Sequence, residues 1–193
     1  EEFKHQRLFE LMKGRFEAGF RSPVELLGER VAVAKAVRES GPAAVLLLTS
    51  MLEWITQRHY LECFKGANAL DTSFVEVFRL HWIEEATHAK LDSLELEQLA
   101  KELSEQARDD ALNTLLDLCG VLDGLLSQQA RMDIEAMQRK CGRVLSGQES
   151  DELFAKQHAA YRWTFLTCGL DHPIFTRVAE TWIPGGRQRV LTK

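Results

Sequence analysis

Along most of the chain, apolar positions recur at the three- and four-residue spacing of amphipathic helices. Phe3, Leu8, Leu11, Met12 and Phe16 mark a first helix over residues 2–18, with Gly19 as its end and His5 as a surface residue that is only a remote candidate ligand. Ser22 as a cap and Pro23 at the first helical position predict a second helix through Val24, Leu27, Val31, Val33 and Val37 to about Glu39. Gly41-Pro42 separates it from the most apolar segment, residues 42–64, which opens with AAVLLL and reads as a helix buried on most sides. After the loop KGANALD, Asp71 or Thr72 caps a central helix whose pattern continues through Leu94, Leu96, Leu99 and Leu103 to about Gln106. A long helix follows over about 109–145, with Gly120 and Gly124 as points of kinking or close packing. Ser150 is expected to cap the next helix, with Asp151 and Glu152 in its first turn and Gly169 at its end. A last short helix runs from Asp171 to about Trp182, and residues 184–193 form a tail that is mobile or packs as an extension.

The expected fold class is therefore all-α, and 193 residues with no internal repeat fit a single domain over 1–193. A hydrophobic content of 45%, a charged content of 27% and only 4 Pro agree with a helical globular chain. The net charge of -5, without a basic run, argues against nucleic acid or an anionic membrane surface as a partner. The longest apolar stretch, residues 42–48, is too short to span a bilayer, and no signal peptide is visible, so a cytoplasmic location is expected. The chain starts at Glu1 rather than at Met, which leaves room for residues upstream. Cys63, Cys119, Cys141 and Cys168 form no Cys-x-x-Cys pair and read as reduced, mostly buried thiols.

Chemistry concentrates in FVEVFRLHWIEEATHAKLD, residues 74–92. Glu85 and His88 stand three apart, so on a helix both project from one face and reach one metal ion. His81 and Asp92 share that stripe, whose mixture of Phe, His, Trp and Glu fits neither a solvated face nor a plain core. On the apolar helix before it, Ser50, Glu53, Gln57 and Tyr60 form a continuous polar stripe. A buried carboxylate costs several kcal/mol unless paired or bound to a cation, so Glu53 needs either an arginine such as Arg58 or Arg162, or a metal. Helical neighbours point Asp133 inward and Glu135 outward. His158 shares an inward face with Phe154, Tyr161, Arg162 and Phe165, as a hydrogen-bonded core residue or a ligand.

Taken in order, Glu53, then Glu85 with His88, then Asp133, then His158 resemble the ligands of the ferritin-like di-iron or di-manganese carboxylate proteins. In those proteins two bundle helices each give a carboxylate and two each give a Glu-x-x-His pair. The resemblance covers about residues 42–168, and EEATHAKLD is similar to the second-helix segment of rubrerythrin-like and oxygenase members. It implies a ferritin-like four-helix bundle with extra N-terminal and C-terminal helices. The metal ligands would be Glu53, Glu85, His88, Asp133 and His158, holding two ions of iron, or manganese. Tyr60 is similar to the tyrosine that often sits beside such a site, and Arg162 would support Asp133 or anchor an anionic substrate. One position departs from the pattern: Ala155 stands where a Glu is expected three residues before His158. Asp151, Tyr161, His81 or water would complete the second metal position, or it would be weak or empty.

The implied activity is that of a non-haem di-iron oxidase or oxygenase, activating dioxygen at two reduced metals bridged by Glu85 to oxidise a small organic substrate. Trp54, Trp82 and Trp163 would line the substrate pocket or serve as core aromatics. An electron donor would also be needed, and bundles of this size commonly form homodimers. The alternatives are an iron-binding or ferroxidase-type protein and a metal-free helical ligand-binding or interaction module. No Ser-His-Asp set, phosphate loop or dinucleotide fingerprint is present.

Overall fold

The computed structural model describes the backbone of residues 2–27 and 30–193, and the side chains of these except residues 30 and 31. The described residues are mostly helical, without a strand, as the all-α reading expects. The elements are α1 (Glu2–Phe20), α2 (Arg30–Glu39), α3 (Pro42–His59), α4 (Thr72–Glu102), α5 (Glu105–Cys141) and α6 (Gly147–Arg162). Three shorter ones follow: α7 (Cys168–Leu170), α8 (Pro173–Trp182) and α9 (Gly186–Leu191). A π-helical turn extends α3 over Tyr60–Phe64, and another joins α6 to α7 over Trp163–Thr167.

The core forms where α3 is enclosed by α4, α5 and α7, with α6 against α5 and α8 against α4. Leu47 and Met51 of α3 meet Leu96 of α4, Leu112, Leu115 and Cys119 of α5, and Phe175 and Trp182 of α8. α8 is bound to α5 by a reciprocal pair of hydrogen bonds: Trp182 Nε1 donates to Arg108 O, and the Arg108 guanidinium to Trp182 O. α1 packs on α4, and many of its apolar side chains, Phe3, Leu11, Phe16 and Phe20, stay exposed. That crossing of α1 over α4 positions the candidate site.

Several helix boundaries differ from the sequence reading. Residues 23–27 are not helical, and α2 starts at Arg30. Their backbone groups find distant partners instead: Val24 N–H donates to Glu17, Leu27 N–H to the Gln129 carbonyl, and the Gln129 amide to Glu25 O. The side chain of Val31 lies outside the described residues. α4 ends at Glu102, and Ser104 caps α5 four residues earlier than the periodicity suggests. Ser146, not Ser150, caps α6, because Glu149 returns a bond to the Ser146 N–H and closes a capping box. Asp71 does cap α4, accepting from Phe74 N–H. His172 rather than Asp171 caps α8, and the C-terminal tail folds as α9 with Val190 buried against the core. Of the four free thiols, Cys119 and Cys168 are buried, but Cys63 and Cys141 are exposed. Among the described residues no helix is long and apolar enough to cross a membrane.

Candidate metal centre

Glu85 is at the middle of the site. It lies on the face of α4 turned toward α3 and α1, where only 2% of its surface is exposed. An ionised carboxylate at such depth requires compensation, and three imidazoles surround it. His81 Nε2, one turn before it on α4, is 2.9 Å from Oε1, and His88 Nδ1, one turn after, is 2.7 Å from Oε2. The third comes from α1: His5 Nδ1 lies 2.8 Å from Glu85 Oε1. His5 is a correction to the sequence reading, which has it on the surface; it is 4% exposed, packed edge-on against the His81 ring at 4.6 Å.

Two donor groups meet at Glu85. One is His5, His81 and Glu85; the other is Glu2, Glu53, Glu85 and His88; within each, the ligand atoms lie within 4.8 Å of one another. Glu2 joins through His88, whose Nδ1 is 3.3 Å from its carboxylate. Glu53, on α3, is hydrogen-bonded to Glu85. Burial first, then the charge of Glu85, pushes the Glu53 carboxyl up to about 9. Glu85 itself is burdened by burial, yet hydrogen bonds from His81 and Glu53 and the charges of His81 and His5 bring it down to about 2. Of the pair, Glu53 is thus the member that favours the protonated form and Glu85 the ionised one.

Whether a metal fits can be judged from the atoms left over. Glu53 Oε2 and His5 Nδ1 are both buried without a hydrogen-bond partner. Nδ1 of His5 is close to Glu85 but is not aligned for a hydrogen bond to it. One such atom belongs to each donor group. Buried polar atoms are nearly always satisfied, and a cation at each group would satisfy these two. The donors are carboxylate oxygens and imidazole nitrogens with no sulfur among them. The residues therefore form a His/Glu cluster suited to a metal ion.

The structure brings together three of the five expected ligands, Glu53, Glu85 and His88. It places the other two elsewhere. His158 Nε2 is 2.9 Å from Asp123, and Asp133 accepts hydrogen bonds from Tyr161 and from Gln129. Neither belongs to the donor groups around Glu85. Arg162 is paired with Asp123 at 3.2 Å, so the arginine bond weighed for Glu53 is not made by it. Arg58, the other arginine weighed, binds Glu62 and Asp171. Tyr60 is buried and stacks on Trp82, with ring centroids 5.0 Å apart, while Gln57 donates to Trp82 O. Of the other tryptophans, Trp54 stacks on His172 and Trp163 packs at the edge of the core. Asp92 stands at Thr49, which donates to it.

His81, one of the residues weighed for the position that Ala155 leaves short, is in the cluster. Glu2 was not read as a ligand, and His5 only as a remote candidate. The signal for them was nevertheless present, since Glu2-x-x-His5 repeats the spacing of Glu85-x-x-His88. Glu2-x-x-His5 on α1 thus places a second pair of this spacing beside Glu85. No protein-family model, curated protein or solved structure matches the chain.

Proposed function

We propose that this protein is a metal-dependent oxidoreductase, a non-haem di-iron or iron/manganese oxidase or oxygenase acting on a small organic substrate. The observation that carries the reading is that one buried carboxylate, Glu85, belongs to two donor groups at once. A carboxylate with one oxygen toward each group is the arrangement needed to bridge two cations, and three imidazoles with three carboxylates provide a nitrogen-and-oxygen set that suits iron or manganese.

His5, His81 and Glu85 would hold one ion; Glu2, Glu53, Glu85 and His88 the other. Two such ions, when bound, supply the electrons and open positions for reducing dioxygen against the substrate. The protein's own contribution is control of charge and water. To serve as a ligand Glu53 would have to give up its proton, which would couple metal binding to proton release. Glu2 is the exposed member of the set and faces solvent on the side where α1 crosses α4. Tyr60 stacks on Trp82, the residue that follows His81 on α4, and adds aromatic surface to that helix.

The test is metal content after anaerobic iron loading of the parent, Glu85→Ala and His88→Ala, followed by optical spectra and oxygen consumption on exposure to air. The reading expects two irons per chain in the parent, both lost in Glu85→Ala, and an oxygen-dependent absorption. Oxygen consumption that stores ferric iron without oxidising any added organic compound would move the assignment to a ferroxidase. A parent that binds no metal while both variants fold normally would overturn the reading.

A further inference from the structure

We propose that Glu84 is a positioning residue of the metal centre: it takes the Nε2 proton of His5 and so presents the bare Nδ1 of that ring as the ligand beside Glu85. This rests on the metal reading above and adds the rule by which one of its ligands is oriented.

The His5 ring lies between two consecutive carboxylates of α4. Nε2 is 2.7 Å from Glu84 Oε2, and Nδ1 is 2.8 Å from Glu85 Oε1. A carboxylate held by a lysine is ionised and can only accept, and Lys4 Nζ lies 2.6 Å from the other Glu84 oxygen. The proton in the His5–Glu84 bond therefore sits on Nε2. Whenever the ring carries a single proton, this contact places it on Nε2 and leaves the lone pair on Nδ1. The geometry agrees: Nδ1 is buried, near a carboxylate, and makes no hydrogen bond to it.

Both Glu84 oxygens are engaged, one by Lys4 and one by His5, which keeps this carboxylate outside the ligand set although it neighbours Glu85 in the chain. An anionic partner on the far nitrogen makes an imidazole a better donor to a cation, and such partners typically contribute 10–100-fold in metal affinity. The ring cannot easily flip to compensate. His81 meets it edge-on, and Phe9 backs His81 in turn at 5.1 Å.

The experiment is titration of metal-free protein with Co(II), whose visible absorption reports nitrogen ligation, for the parent, Glu84→Gln and Glu84→Leu. It is paired with nitrogen-15 NMR of the His5 ring before metal is added. The parent should bind two Co(II) and show His5 protonated at Nε2. In Glu84→Gln the affinity for one ion should fall several-fold, and in Glu84→Leu by roughly 10–100-fold with a mixed His5 tautomer, the other ion being held as in the parent. Glu84→Gln keeps the size and an acceptor oxygen, so it decides the matter if the leucine variant misfolds. Unchanged affinities for both ions in the variants overturn the role of Glu84 and leave the metal reading standing. Equal weakening of both ions marks Glu84 as a structural link between α1 and α4 and also overturns the proposal. A parent that binds no Co(II) removes the metal reading and this inference together.

Discussion

Replacing Glu53 by glutamine tests the electrostatics of the centre without any metal. In the folded protein the Glu53 carboxyl is held at about 9, against an ordinary value of 4.5. Between those values the folded chain keeps a proton that the unfolded chain has released. Stability from this group is therefore fully present below pH 4.5 and is lost as pH rises toward 9. Glu85 acts in the opposite sense, but its window, from about 2 to 4.5, closes before neutrality. His59 and His172 are both held below the ordinary imidazole value by burial, so their effect is confined to acid solution. From about pH 7 to about pH 8.5 the Glu53 proton dominates, with a ceiling of about 1.4 kcal/mol per pH unit, or about 2 kcal/mol in all. Glu53 is only partly buried, and the screening this allows reduces the expectation to about 1 kcal/mol, a fall in melting temperature of about 2–4 °C for a chain of this size. The amide introduced by Glu53→Gln keeps the shape and a donor toward Glu85 but has no proton to lose. Thermal melts in chelator should slope downward with pH more steeply in the parent than in Glu53→Gln, where only the raised Cys63, Cys119 and Cys168 thiols add a shallow fall as pH nears their ordinary value of 9.0. Parallel slopes, or a parent that gains stability across this range, would refute the shared-proton account.

Three further outcomes follow from the same geometry. His5→Ala and His81→Ala should each lose one of two bound ions and retain the other, because both side chains belong to the first donor group and not the second; metal analysis after dialysis reads this. Asp133→Asn and His158→Ala should keep the parent metal content, since Tyr161 and Asp123 are their partners; losses there would contradict the assignment of ligands. Gly169→Ala should lower the melting temperature at unchanged metal content, by about 1–3 kcal/mol in stability, because a Cβ there would come within 2.5 Å of Met51 O on the core helix.

What could be read from the sequence depended on the range of the interaction. Glu85 and His88 share one helix, so their spacing alone put them together. Glu53 was legible because a carboxylate on an apolar helix has to be answered by something. Asp133 and His158 are partly buried too, but facing inward does not say which neighbours a residue faces. Tyr161 and Gln129 satisfy the first, Asp123 the second, and none of these pairings has a local signature. Ser146 and Ser150 were both acceptable caps, and the reciprocal bond with Glu149 decided between them. His5 was missed because nothing in an amphipathic helix tells where it will dock.

The docking of α1 is itself inseparable from the site. Besides Phe9 against Phe78 and His81, polar contacts tie the first turns of α1 to α4: Lys4 and His5 with Glu84, His5 with Glu85, and Glu2 with His88. Exposed ion pairs of this kind contribute little, with a median near 0–1 kcal/mol. The buried ones here surround a carboxylate that α4 would otherwise leave uncompensated. Phe3, Leu11, Phe16 and Phe20 of α1 remain exposed, so the contacts around Glu85 are an important part of what seats this helix. A cation shared between Glu2 or His5 and the α4 ligands would tie the two helices directly, so that loading the centre and seating α1 become one equilibrium.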